Sequence, residues 1–226
     1  MTQQHVDYVF QVIVFLFAIS VHESAHAWMA SRCGDPTARM LGRVTLNPIR
    51  HIDLFGTIIL PVMALIMHFP VIGWAKPTPV DPRNFDHPIR DDIYTSVAGP
   101  VSNFLVAIIA VGAMMLMSLS SPQGRLLVRG LANGALLDTG SSLVPLALLL
   151  YDLMLINVLL GVFNLIPVPP LDGSHVFRHL LSERIRDVYD RVGIFGLFAL
   201  LFFGGSILWR LMAPFINLFN SVLTSI

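Results

Sequence analysis

Between Asp92 and Arg125 the chain carries no charged side chain, and most of that interval is aliphatic. A helix of ~20 such residues crosses the hydrocarbon of a bilayer, where only helices and closed barrels satisfy their own backbone. Four more apolar segments lie at about 7–30, 54–74, 143–166 and 192–213. With 12% charged residues and a mean hydropathy of +0.73, too little polar surface remains to cover a soluble domain. The segment at 54–74 is short and broken by Pro61 and Pro70. The expected fold class is therefore an all-α polytopic membrane protein. It has about four full transmembrane helices, a re-entrant segment at 54–74 and a small β-hairpin region in RMLGRVTL (39–46). Residues 121–142 read as a Gly/Ser-rich loop, and a C-terminal helix follows Pro214. One domain covers 1–226, with a core at about 7–185 and a C-terminal helical segment at about 190–226. The N-terminus lacks the basic region and cleavage site of a signal peptide, so the first apolar run is expected to remain as an anchor.

Charge and cysteine content narrow the function. A formal net charge of zero argues against a nucleic-acid partner. The single Cys33 has no partner for a disulfide or a thiolate metal site and reads as a small packing residue.

FAISVHESAHAWMA, residues 17–30, places His22, Glu23 and His26 inside an otherwise apolar helix. Such groups are costly in hydrocarbon and mark function there. Positions i and i+4 share a helix face, so both imidazoles can address one metal ion. Glu23 lies about 100° round from His22, within reach of a water held by that ion. The alternative, two core histidines paired with Glu23, is weaker because no basic residue precedes Arg32 on this segment.

A third ligand is needed, and a catalytic zinc keeps its fourth position open. Most carboxylates lie in polar loops. Asp172 instead follows the fourth apolar segment directly, in NLIPVPPLDG, where Pro167, Pro169 and Pro170 prevent a regular helix. Irregular backbone at membrane depth is tolerated where it lines a protein-enclosed cavity. Taken alone, that stretch favours the reading of a proline-rich helix stop with a turn aspartate.

HESAH in a membrane helix, AGPVSN (98–103) opening a later one and NLIPVPPLDG (164–173) ending the next resemble the site-2 protease family of intramembrane zinc metalloproteases. The last stretch matches N-x-x-P-x-P-x-x-D-G at Asn164, Pro167, Pro169, Asp172 and Gly173. The resemblance spans about 7–185, and GWAKPTPVDPRNF (73–85) resembles a compact prokaryotic branch without a PDZ domain. It implies that His22, His26 and Asp172 bind one zinc ion and that Glu23 is the general base. It also implies that Asn103 and Asn164 lie near the site, contacting substrate backbone or a developing oxyanion. A membrane-helix asparagine also commonly bonds a neighbouring helix, and Gly99 and Pro100 read as packing and helix-start residues. The implied substrate is a membrane protein with a transmembrane segment, cut within the bilayer. RMLGRVTL or WAKPTPV (74–80) would hold it extended by strand addition. A metal-ion transporter and a non-catalytic membrane scaffold are the competing functions.

Basic residues orient the chain. If 54–74 re-enters, the loops at 31–53, 73–92 and 167–191 share one side and hold eleven of the fourteen basic residues, from Arg32 to Arg191. Arg125, Arg129 and Arg210 lie opposite or near the end of the last span. The positive-inside rule then places the N-terminus outside and the site towards the cytoplasm, in the cell's inner membrane.

Overall fold

In the computed structural model, residues 3–59, 63, 74–135 and 141–225 are described, and no strand occurs among them. The helices are α1 (Gln3–Arg32), α2 (Thr37–Met40), α3 (Pro88–Ser120), α4 (Pro122–Ala132), α5 (Val144–Asn164), α6 (Asp172–Arg178), α7 (Glu183–Phe203) and α8 (Gly205–Thr224). Two 3₁₀ turns, Pro48–Arg50 and Pro82–Asn84, and a π-helical turn, Leu54–Ile59, join them.

Among the described residues, four helices are long and apolar enough to cross a membrane: Phe10–Arg32 of α1, then α3, α5 and α8. On α3, Ala107, Ala110, Val111 and Met114 recur at helical spacing and are buried, while Leu105, Ile108, Ile109 and Leu116 on the other side are exposed. A helix that is apolar on its exposed face as well suits lipid as solvent. The chain is a multi-pass membrane protein.

The fourth span is displaced from its expected place at 192–213. The helix breaks at Gly204–Gly205, and α8 then runs through Pro214 to Thr224. Two adjacent glycines, the poorest helix formers after proline, end α7. The charged first turns of α7, with Glu183, Arg184, Arg186 and Asp187, exclude it from the spans.

The expected hairpin in RMLGRVTL does not form. Thr37–Met40 is a helical turn, and Gly42 at φ +68° closes it. The Gly42 amide bonds the Arg39 carbonyl and the Arg43 amide the Ala38 carbonyl, the paired bonds of a glycine-capped helix end. The expected loop at 121–142 also begins as a helix, α4. Ser121 accepts from the Gly124 amide, Pro122 occupies the first turn, and Leu127, Val128 and Leu131 are buried. The re-entrant segment falls mostly outside the described residues. Its described start, Leu54–Ile59, is a turn opened by Asp53, whose carboxylate accepts from the amides of Phe55 and Gly56.

The chain forms two compact units, Ile19–Gly99 and Met1–Ala18 with Pro100–Ile226. In the larger unit, Met114, Leu127, Val128, Met154, Val158, Ile216 and Leu223 join α3, α4, α5 and α8 in one core. Within it the Asn103 amide nitrogen donates to Asn157 Oδ1 at 2.8 Å and to the Ala18 carbonyl at 3.3 Å.

In the smaller unit, Ala30, Cys33 and Phe85 form a core at the end of α1, which confirms the packing role read for Cys33. Asp35, one of the carboxylates of the polar connections, is fully buried. It accepts from the Thr37 amide and hydroxyl, the Asp81 amide and Asn84 Nδ2. Burial pushes its pKa up, but these donors outweigh burial and hold the carboxyl below its ordinary range. Gly34, at φ +100°, turns the chain here, and a Cβ would stand 2.8 Å from the Asn84 carbonyl. Residues 80–86 are thereby clamped to the end of α1.

Candidate active site

His22 and His26 sit one turn apart on the buried face of α1, and their Nε2 atoms converge to 3.0 Å with the rings edge to face. Two nitrogens on a tetrahedral zinc, each ~2.0–2.1 Å from it, lie roughly 3.3 Å apart, so the pair is close to the spacing of two ligands. His26 Nδ1 donates to the Thr95 carbonyl of α3 at 2.6 Å. That bond fixes the proton on Nδ1 of the neutral ring and leaves the Nε2 lone pair for a metal.

Gly99 supplies the space. A Cβ added there would overlap His26 Nε2 and stand 2.7 Å from Cε1 and Nε2 of His22. The residue faces the pair of nitrogens, a more specific role than the general close packing read from AGPVSN. Pro100 does not start the helix; it lies inside α3. Its missing amide leaves the Ser96 carbonyl without a helical donor, next to the Thr95 carbonyl that receives His26.

Glu23 is half-buried and meets the extended segment that contains Pro77, Thr78 and Pro79. The Thr78 amide donates to Glu23 Oε2 at 2.9 Å. The Thr78 hydroxyl lies 2.7 Å from the same oxygen and 3.0 Å from the Glu23 carbonyl. Inside the same segment, the Trp74 amide bonds Gly56 O and the Lys76 amide bonds His51 O. The amides of 74, 76 and 78 thus all face inward. The alternate positions are Ala75, Pro77 and Pro79, so the outer edge offers one amide donor. WAKPTPV is a poor template for strand addition by donated hydrogen bonds.

Thr78 was not legible as a site residue, because nothing in its sequence surroundings separates it from a loop threonine between prolines. His51, in the polar connection after α2, is fully buried. It bonds the Thr45 carbonyl through Nε2 and accepts Lys76 N on its own carbonyl, which anchors the extended segment.

The larger unit holds Asp172, Asn103 and Asn164. No helix forms between Asn164 and Asp172, as the prolines predict, and Asp172 opens α6. This loop is held from both sides. A Cβ at Gly173 would collide with the Leu165 carbonyl, and one at Gly193 of α7 with the Pro169 ring. The Tyr189 hydroxyl donates to the Pro167 carbonyl at 3.0 Å. Gly173 is therefore set by close backbone approach, not by a turn of positive φ. Asn164 Nδ2 bonds back to the Leu160 carbonyl at 3.0 Å.

Comparison with known proteins gives the same direction. The chain is 34% identical over 206 residues to "Putative zinc metalloprotease YwhC" of Bacillus subtilis (strain 168), covering 89% of this chain and 84% of that protein. It is 28% identical over 173 residues to "Putative zinc metalloprotease Rip2" of Mycolicibacterium smegmatis, covering 76% of this chain and 58% of that protein. A 36-residue stretch is 53% identical to "Zinc metalloprotease MJ0392" of Methanocaldococcus jannaschii, covering 16% of this chain and 11% of that protein. No solved structure gives a significant match. The model of Peptidase family M50 matches residues 10–203. A membrane helix with two converging imidazoles and an adjacent carboxylate, in a chain matched over most of its length, places this protein in peptidase family M50, the site-2 protease family.

Proposed function

We propose that the protein hydrolyses peptide bonds in or near transmembrane segments of membrane-protein substrates, with one zinc held by His22, His26 and Asp172 and Glu23 as general base. The observation that carries this reading is the convergence of the two Nε2 atoms beside Glu23 on an apolar helix. Asp172 is supported by its place in NLIPVPPLDG and by the close contacts that fix the backbone on either side of it. When bound, zinc supplies a Lewis acid that polarises the scissile carbonyl and acidifies the attacking water.

The chain's own residues supply the rest. Thr95 orients His26, and Gly99 leaves room at the nitrogens. Glu23 takes a proton from the water and delivers it to the leaving amine, so that one carboxylate serves both transfers. Thr78 holds one oxygen of that carboxylate and fixes its direction. The bonds of Asn103 to Asn157 and Ala18, and of Asn164 to Leu160, support helix packing over substrate binding for both. The charge asymmetry of the loops supports a site open towards the cytoplasm in the inner membrane.

Two tests follow. Purified protein reconstituted with a labelled single-span substrate should cleave it, stop on zinc chelation and recover when zinc is restored. Cleavage indifferent to chelation would reject the metalloprotease reading. Thr78→Val should keep its zinc and lose roughly tenfold in kcat, the value of one hydrogen bond to a charged group. Thr78→Ser should recover most of that loss, and a Val variant as fast as wild type would remove Thr78 from the mechanism.

A further inference from the structure

We propose that a groove at the end of α1, lined by Trp28, Ser31, Arg32, Arg39 and Val44, binds the phosphate headgroup of an anionic phospholipid. The groove encloses about 300 Å³. It begins where the first membrane span ends, at Arg32, and Trp28 is half exposed beside it. Tryptophan and arginine at the end of an apolar span lie at headgroup level.

The charges in the groove are uncommitted. Arg43 bonds the Arg50 carbonyl, Arg83 pairs with Asp81 and Arg90 with Asp91. Arg32 and Arg39 have no hydrogen-bond or carboxylate partner among the described residues. The Arg32 guanidinium lies 5.4 Å from the centre of the Trp28 ring, a stacking that leaves its N–H edge available. Two guanidinium groups and the Ser31 hydroxyl form a donor set suited to phosphate oxygens.

The surroundings select lipid over a soluble anion or an acidic peptide. Next to Arg39 and Val44 in the chain, Met40, Leu41, Leu46 and Ile49 are exposed, Met40 at 81% and Ile49 at 76%. These four side chains stand on two short helical turns and the loop between them, apolar surface that water would otherwise have to cover. Acyl chains beside the bound headgroup cover them instead, with the interfacial placement that such a loop needs.

The test is native mass spectrometry of the delipidated full-length protein titrated with phosphatidylglycerol and phosphatidylcholine. One phosphatidylglycerol should be retained in preference to phosphatidylcholine, and neither inorganic phosphate nor a soluble acidic peptide should displace it. Each arginine near a charged membrane surface is worth about 1 kcal/mol, roughly 5-fold, so Arg32→Gln with Arg39→Gln should weaken binding roughly 30-fold. Arg39→Gln alone, on an exposed turn, should still lose about 5-fold and serves if the double variant does not fold. Arg125→Gln with Arg129→Gln should change nothing. Equal binding of phosphatidylcholine, unchanged binding in both groove variants, or displacement by phosphate or peptide would each overturn the assignment.

Discussion

Replacing Glu23 by glutamine is expected to leave zinc bound and to lower cleavage by roughly 10²–10⁴-fold, the range for removal of a general base. The side chains are isosteric, and a glutamine carbonyl can still accept the Thr78 bonds now made to Oε2. What glutamine cannot do is take a proton from water or return one to the amine. The His22 and His26 nitrogens and the His26–Thr95 bond do not involve Glu23, so metal content should equal that of the wild type. Metal analysis and single-turnover cleavage on the same preparation decide it. A variant that cleaves within tenfold of wild type would show that Glu23 is not the base. Loss of zinc along with cleavage would show that it binds the metal instead.

Asp172→Asn should have the opposite signature, with zinc and cleavage lost together. Asparagine keeps the volume of the side chain at the start of α6, so the contacts of Gly173 and Tyr189 that hold the loop survive. The negative charge that favours a dication is removed. Changes to groups that only orient a ligand cost 10–100-fold in metal affinity, so loss of a ligand itself should weaken zinc by roughly 100-fold or more. Competition with a graded series of chelators measures it, and an unchanged circular dichroism spectrum shows that the fold persists. Wild-type zinc affinity in Asp172→Asn would end the three-ligand proposal and leave His22 and His26 in need of another partner.

What sequence reading captured divides along a physical line. His22, Glu23 and His26 were legible because charge and imidazole in hydrocarbon have few explanations, and i, i+4 spacing survives any tertiary context. The irregular backbone before Asp172 was legible because proline acts locally. Four spans were expected and four candidate helices occur among the described residues, yet the last was misplaced. Pro214 drew attention as a helix stop, whereas the Gly204–Gly205 pair makes the break. In RMLGRVTL the β-branched pattern outweighed Gly42, whose positive φ caps a helical turn. In α4 the signal was present, with Ser121 and Pro122 at the start and Leu127, Val128 and Leu131 at helical spacing, and the glycines obscured it. Asp35, His51 and Thr78 were out of reach, because each depends on a partner tens of residues away or on burial that no local pattern encodes.

The segment that touches Glu23 bears on a hazard every protease faces, its own chain. Lys76–Pro77 and Thr78–Pro79 are imide bonds, and the Thr78 amide nitrogen between them is already hydrogen-bonded to Glu23. The backbone resting against Glu23 therefore presents few ordinary amides to attack. With Glu23 as the proposed base, the backbone nearest to it is a poor target for the chain's own chemistry.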